Sequence, residues 1–354
     1  MNRKIFFNEN PYSISSNEKY KLFLSTLNDL NYKHFNGCKE YKKILNFFNY
    51  KKTKNILISK LPYLPIKLFK KYDLLSTEKQ KIIKIMHSSG TSGQRSKIFL
   101  DKKNSLDQIQ ALKNIFQYNF GKERFPMIIL SKKNLSNRSN IFDAKNAAYL
   151  GFSMFGKDYF FLLNDDGEIN YENLNKFLEK HKYSRILIFG FTSDIFEYLI
   201  NKINVKKIKF KLNKSIILHG GGWKKLENKK VSKKVFKNKL KKKFSISKVY
   251  NYYGLIEQTG SIFLECNCGY FVTTNFSDII LRDKSLKEII EYGKKGLIQL
   301  ISILPTSYPG HNILTEDIGE IVSESKCRCK INGKRFLVHG RAEKAEIRGC
   351  SDAV

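Results

Sequence analysis

The stretch that decides how this chain is read runs Ile82-Ile83-Lys84-Ile85-Met86-His87-Ser88-Ser89-Gly90-Thr91-Ser92-Gly93-Gln94-Arg95-Ser96-Lys97-Ile98-Phe99-Leu100. Two β-like runs flank a turn built from glycine and hydroxyl residues and bordered by cations. Successive backbone N–H groups in such a turn form a concave nest, and hydroxyls and cations add further donors, so the stretch suits a polyphosphate. It is not a Walker loop, because Gly90 to Gly93 is too short and no Lys-Ser/Thr pair follows. Taken alone it also fits a solvated hairpin turn.

Outward from that turn, β-like and α-like segments alternate. Strands are expected at Lys97–Leu100, Met127–Leu130, Asp158–Leu163, Arg185–Phe189, Lys214–Leu218 and Lys248–Tyr252. Helices are expected between them at Ser105–Phe120, Ile169–His181, Ser193–Ile203 and Val231–Phe244. That rhythm predicts an α/β fold with a mainly parallel sheet, in which ligands sit at the carboxyl ends of strands. Residues 262–340 read instead as short strands and turns, a smaller β-rich portion. Residues 1–80 read as a helical N-terminal region, with helices near Glu18–Leu30 and Cys38–Phe48, broken at Leu61-Pro62-Tyr63-Leu64-Pro65. The expected division is therefore 1–80, 81–340 and a tail at 341–354.

The chain has 354 residues and a net charge of +33. Lysine is spread along the whole chain and no zinc-finger, RNA-recognition or cold-shock pattern accompanies it, so no nucleic-acid partner is expected, and a basic nucleic-acid or membrane-surface binder is the more distant alternative. The densest lysine cluster, Lys229 to Lys243, fits a helix whose apolar side carries Val231, Val235, Phe236, Leu240 and Phe244. No run approaches a transmembrane segment, and the N-terminus lacks a signal-peptide core; a soluble cytoplasmic protein is the default expectation.

Four further stretches bear on the chemistry. Ser215-Ile216-Ile217-Leu218-His219-Gly220-Gly221-Gly222-Trp223 is a strand ending in three glycines that admit a flat ligand; its alternative is a glycine turn beside a core tryptophan. Val249-Tyr250-Asn251-Tyr252-Tyr253-Gly254-Leu255-Ile256-Glu257 runs from a strand into an acid suited to Mg²⁺, or one that merely opens a helix. In Ile313-Leu314-Thr315-Glu316-Asp317-Ile318-Gly319, two acids stand at an apparent strand–turn junction. Asp317 is able to accept ribose hydroxyls, and equally to close an Asx turn. Gly340-Arg341 offers a guanidinium for ribose or phosphate.

In this order the stretches resemble the acyl-protein synthetases of bacterial bioluminescence, relatives of the adenylate-forming acyl-CoA synthetases and luciferases. The likeness rests on Ser88 through Gly93, on His219 through Trp223 and on Tyr253 through Gln258. Ser307-Tyr308-Pro309-Gly310-His311, Thr315 through Gly319, and Gly340 through Ser351 complete it. It implies the large domain of an adenylate-forming enzyme and a two-step reaction. A fatty or other carboxylic acid attacks ATP to give acyl-adenylate and pyrophosphate, and a thiol then takes the acyl group. Carried over, Ser88, Ser89, Gly90, Thr91, Ser92 and Gly93 hold phosphates with Lys97 nearby as a catalytic cation. Gly220, Gly221 and Gly222 line adenine with Tyr253 and Gly254. Glu257 holds Mg²⁺, Asp317 binds ribose, and Arg341 sits by it. Larger relatives continue past the Gly-Arg segment into a mobile cap domain with a catalytic lysine. Here thirteen residues follow Arg341, so no full cap domain is expected.

The resemblance also suggests that a cysteine near the C-terminus, Cys350, carries the acyl group to an acyl reductase partner. Arg348 nearby favours its thiolate, and the alternative is a bystander thiol. A CoA ligase of the same superfamily is the competing activity. Two Cys-x-Cys pairs, Cys266/Cys268 and Cys327/Cys329, are separated by 58 residues and offer a structural Zn²⁺ site or four reduced thiols.

Overall fold

The computed structural model describes residues 3–50, 56–88, 94–133, 142–324 and 327–342. These residues form two compact units: one takes 3–121 and 254–342, the other 122–253.

The second unit is a parallel sheet with helices on its faces. Its strands are Phe125–Lys132, Gly156–Leu163, Leu187–Phe191, Ile216–Gly220 and Lys248–Tyr253. In chain order they lie 2-1-3-4-5, each paired parallel to its neighbour. Buried on both faces, such strands read as continuous apolar runs, as Met127-Ile128-Ile129-Leu130 does. Alternate side chains separate into two cores. Ile128, Leu130, Ile188, Ile217 and Val249 meet the helices Tyr171–Lys180 and Lys233–Phe244 through Leu174, Leu178, Phe236 and Leu240. On the other side Phe189 and Tyr252 pack on Phe152 of the Ala144–Ser153 helix, ring centroids 4.7 and 4.9 Å away. The expected helix at Ser193–Ile203 exists in a wider form: Ile195–Lys202 is π-helical, and it closes where the Ile203 N–H donates to the Tyr198 carbonyl at 2.8 Å.

The first unit combines an antiparallel sheet, a hairpin and three helices of two or more turns. Its sheet runs in the order Phe271–Val272, Arg335–Arg341, Asn312–Ser323, Lys295–Ser302, Ser277–Arg282, Glu288–Ile289, and Leu64–Pro65 adds a short parallel pairing to Asn312–Ser323. The hairpin pairs Ile82–His87 with Lys97–Asp101. Asp101 then caps the Lys102–Phe120 helix by accepting the Asn104 N–H at 2.7 Å. The N-terminal helices Ser16–Gly37 and Lys39–Phe47 meet at the buried Cys38, whose sulfur accepts the Tyr41 N–H.

One local reading differs from expectation. Ile313 through Gly319 is not a strand–turn junction but the middle of the twelve-residue strand Asn312–Ser323. The pairing skips there: Leu297 faces Ile318 while Gln299 faces Leu314, so extra residues bulge out at Thr315 to Asp317. A bulge tolerates the acids that otherwise argue against a strand, and it re-aims the side chains it carries. Among the described residues no helix is long and apolar enough to cross a membrane.

Candidate active site

In the first unit the serine-rich turn begins from a closed hairpin. His87 pairs with Lys97, and one step beyond, the Ser88 hydroxyl accepts the Ser96 N–H at 2.8 Å while the Ser88 N–H donates to the Ser96 carbonyl. Ser88 and Ser96 are both buried. Ser89 to Gly93 lie outside the described residues. The base of the turn is electropositive: partial burial lowers the His87 pKa, and the charges of Lys97 and Arg95 lower it further. Lys97 itself pairs with Asp73 at 3.1 Å, with both side chains about half exposed or more, so the pair adds little stability and its ammonium remains available.

Glu257 is 3% exposed, on the single 3-10 turn Ile256–Gln258. Two residues hold that turn. The Gln258 amide donates to the carbonyls of Leu300 and Gly310 at 3.0 and 2.9 Å, tying it to the sheet and to the Ser307–His311 loop. Gly310 leaves no room for a side chain, since a Cβ there would stand 2.8 Å from the Glu257 carbonyl and closer still to the Tyr308 ring. The turn packs on the Lys97–Asp101 strand, and Thr259 Oγ1 stands 3.9 Å from Met86 Sδ, two residues before Ser88. The turn that carries Glu257 is thus packed against the hairpin that leads into Ser88, within one unit. Burial raises the Tyr308 phenol pKa and the Glu257 charge raises it further.

Asp317 and Arg341 also meet. They are direct partners in the Asn312–Ser323/Arg335–Arg341 register, with Arg341 Nε 3.8 Å from Asp317 Oδ1. The Asp317 N–H is held by the Thr315 hydroxyl at 3.1 Å, and that hydroxyl donates to the Ile298 carbonyl.

The second unit gathers the adenine candidates. Gly220 pairs with Tyr252, so the ends of the Ile216–Gly220 and Lys248–Tyr253 strands place Gly220, Gly221, Gly222 and Tyr253 at one carboxyl edge. Gly220 is required by packing: a Cβ there would stand 2.4 Å from the Tyr252 ring. Gly221 adopts φ +72°, which disfavours other residues. Gly222 faces open space. Trp223 is a core residue, wedged against Phe196 and Phe236. Thr192, which sequence reasoning missed, organises this edge. Its hydroxyl lies 2.9 Å from His219 Nδ1 and 3.1 and 2.9 Å from the Gly220 and Gly221 carbonyls. All three contacts are satisfied when Nδ1 carries the proton and the hydroxyl donates to the carbonyls. No motif marks Thr192; only its place after a parallel strand does. Gly254 opens the return into the first unit, and Cys350 lies outside the described residues.

A second feature escaped the sequence. His34 and His311 stack at 4.9 Å, both buried. The Pro305 carbonyl can only accept, so His34 Nε2 donates to it at 3.2 Å and Nδ1 accepts from Ser76 at 2.8 Å, which defines a neutral ring. Burial drives the His311 pKa to about 3; it also lowers that of His34, helped by the charges of His311 and Lys33. Between pH 6.5 and those lowered values the unfolded chain binds protons that the native protein refuses. The stability these rings contribute is therefore complete above pH 6.5 and lost as pH falls, by about 1.4 kcal/mol per pH unit per histidine. Urea midpoints measured from pH 7 to pH 4 are expected to fall with a slope approaching two protons, and His311→Gln to remove one of them. A flat profile in that window contradicts the neutral pair.

The chain thus joins a parallel sheet whose strand ends carry glycines to an antiparallel portion bearing the buried acid, and solved adenylate-forming ligases share that fold. The solved structure of 2-hydroxyisobutyryl-CoA ligase in an open conformation, with 2-HIB-AMP and CoA, is similar with a TM-score of 0.73 at 12% identity, over 94% of this chain and 72% of that one. The same ligase in its postadenylation state with 2-HIB-AMP gives 0.73 at 13% identity, over 94% and 69%. At this identity the likeness is one of fold. No curated protein matches the chain. The family model for acyl-protein synthetase, LuxE, matches residues 2–354, and the chain belongs to that family.

Proposed function

We propose that the protein activates a carboxylic acid with ATP and passes the acyl group to a cysteine thiol for delivery to an acyl reductase. A carboxylate oxygen of the acid attacks the α-phosphorus, the bond to the bridging oxygen breaks, and pyrophosphate leaves. A thiolate then attacks the acyl carbon and AMP departs with the oxygen the acid supplied. Ser88 and the serine-rich turn receive the phosphates and Lys97 offsets their charge. Asp317 accepts from the ribose hydroxyls with Arg341 beside it; Tyr253 and Gly220 to Gly222 contact adenine. Glu257 fits the preference of Mg²⁺ for one or two carboxylates plus phosphate oxygens, where the ion supplies charge neutralisation. Cys350 receives the acyl group, a fatty acyl chain being the class the family suggests.

The observation that carries this reading is the buried Glu257 turn fastened beside the hairpin that opens into the serine-rich turn. A buried carboxylate on such a turn is the kind of group a Mg²⁺–polyphosphate complex requires. The test is a panel of carboxylic acids in an ATP–pyrophosphate exchange assay. Exchange that requires an acid and Mg²⁺ supports the proposal; exchange indifferent to every acid opposes it.

A further inference from the structure

The first unit brings four cysteines together. The sulfurs of Cys266, Cys268, Cys327 and Cys329 all lie within 4.8 Å of one another, and Cys268 and Cys329 are 3.4 Å apart. A tetrahedral ion bound at about 2.3 Å per sulfur requires sulfurs separated by about 3.8 Å. The quartet brackets that spacing, with one pair at 3.4 Å and none beyond 4.8 Å. It is too compact for a cluster of two or four irons, whose ligands must spread around the inorganic core.

The backbone supports the same conclusion. Each Cys-x-Cys pair lies in a tight turn closed by an N–H donated from the fourth residue to the first carbonyl, Gly269 to Cys266 and Lys330 to Cys327, both at 2.8 Å. Each turn ends in a left-handed residue, Gly269 at φ +87° and Lys330 at φ +56°. Two turns of one form, from segments distant in sequence, present two sulfurs each to a common centre. For a lysine that conformation is unfavourable, so the second turn is held by something beyond local preference. Arg335 supplies a complementary charge. It is 1% exposed, donates to the carbonyls of Gly333 and Ile331, and reaches the Cys327 sulfur. A buried cation beside four thiolates offsets the excess negative charge that a tetrathiolate site retains after binding a divalent ion.

We infer that these four cysteines bind one structural Zn²⁺ ion. Four protein ligands close the coordination sphere, so the site has no open position for catalysis. Its work is to fasten the two turns to one another beside the short strand pairing that follows them. The two-residue strand Phe271–Val272 follows the first turn and pairs with Arg335 and Phe336 after the second, a pairing too short to persist unaided. Tyr12, Val272 and Ile331 pack with the cysteines in one small core. The N-terminal segment is laced to the same place: the Ile14 N–H donates to the Asn275 side chain at 3.1 Å, and the Asn275 N–H donates to the Pro11 carbonyl. Metal at the cysteines therefore stabilises the seat of the N-terminal segment as well.

The inference is tested on the full chain, produced in zinc-supplemented medium and purified without chelators. Elemental analysis is expected to give about one zinc per chain, falling below about a tenth in Cys268→Ser and Cys329→Ser. Stripping zinc from the wild type is expected to speed amide exchange in residues 10–14, 266–273 and 327–336, and zinc is expected to restore protection. If the variants fail to fold, cobalt decides: Co²⁺ added to stripped wild type is expected to show the intense visible bands of tetrahedral thiolate coordination. Three results overturn the inference: less than about a tenth of an equivalent of zinc with no cobalt spectrum, an intact mass lighter by the hydrogens of a disulfide, or one equivalent of iron in place of zinc.

Discussion

Replacing Glu257 by Gln is expected to lower acid-dependent ATP–pyrophosphate exchange by about a hundredfold or more, with the thermal midpoint kept or slightly raised. Gln matches Glu in shape, so the turn held by Gln258 and backed by Gly310 keeps its form. What the substitution removes is a buried negative charge. Charge fixed where phosphate charge moves contributes most in a site closed to water, and loss of one such group costs about two to three orders of magnitude in rate. The half-saturating Mg²⁺ concentration is expected to rise in the same variant, which separates an ion-holding acid from one that merely shapes the turn. A variant within about threefold of wild type removes Glu257 from the site.

Cys350→Ser is expected to abolish covalent labelling of the protein by radioactive acid in the presence of ATP, while exchange continues at the wild-type rate. The two half-reactions use different groups, so the thiol is needed only after the adenylate exists. A serine hydroxyl is far less nucleophilic at neutral pH, and the loss is therefore complete rather than partial. Addition of CoA discriminates the competing activity: a CoA ligase forms acyl-CoA in this variant as well as in wild type. Label retained in the variant and released by neutral hydroxylamine, as a thioester on another cysteine is, contradicts the carrier role.

The parts of the fold legible in the sequence are those fixed by local pattern. Ile216 to Leu218 and Met127 to Leu130 announce buried parallel strands because both faces are covered and nothing polar interrupts them. Phe236, Leu240 and Phe244 announce a helix by falling four apart on its inner face. The Asn312–Ser323 strand is obscured because its acids stand on a bulge, and a bulge is created by the register with a partner rather than by its own residues. The same non-local cause hid the companions of the site residues. Asp317 and Arg341 were each visible as candidates, yet their pairing depends on a strand register separated by 24 positions. Thr192 and the His34–His311 stack left no signal, since a lone threonine or histidine acquires its role only from what folding places against it. The cysteine pairs gave a partial signal. Their Cys-x-Cys spacing departs from the usual zinc knuckle, and it is the matched turns at Gly269 and Lys330 that let so short a spacing converge.

Joining of the acid to the α-phosphorus of ATP can be followed by incubating the wild-type protein with ATP, Mg²⁺ and a carboxylic acid labelled with ¹⁸O in both carboxylate oxygens, and then analysing the nucleotide products by mass spectrometry. Acyl-adenylate formation predicts AMP carrying a single ¹⁸O atom and unlabelled pyrophosphate. Label in inorganic phosphate accompanied by ADP, or AMP free of label, would contradict it.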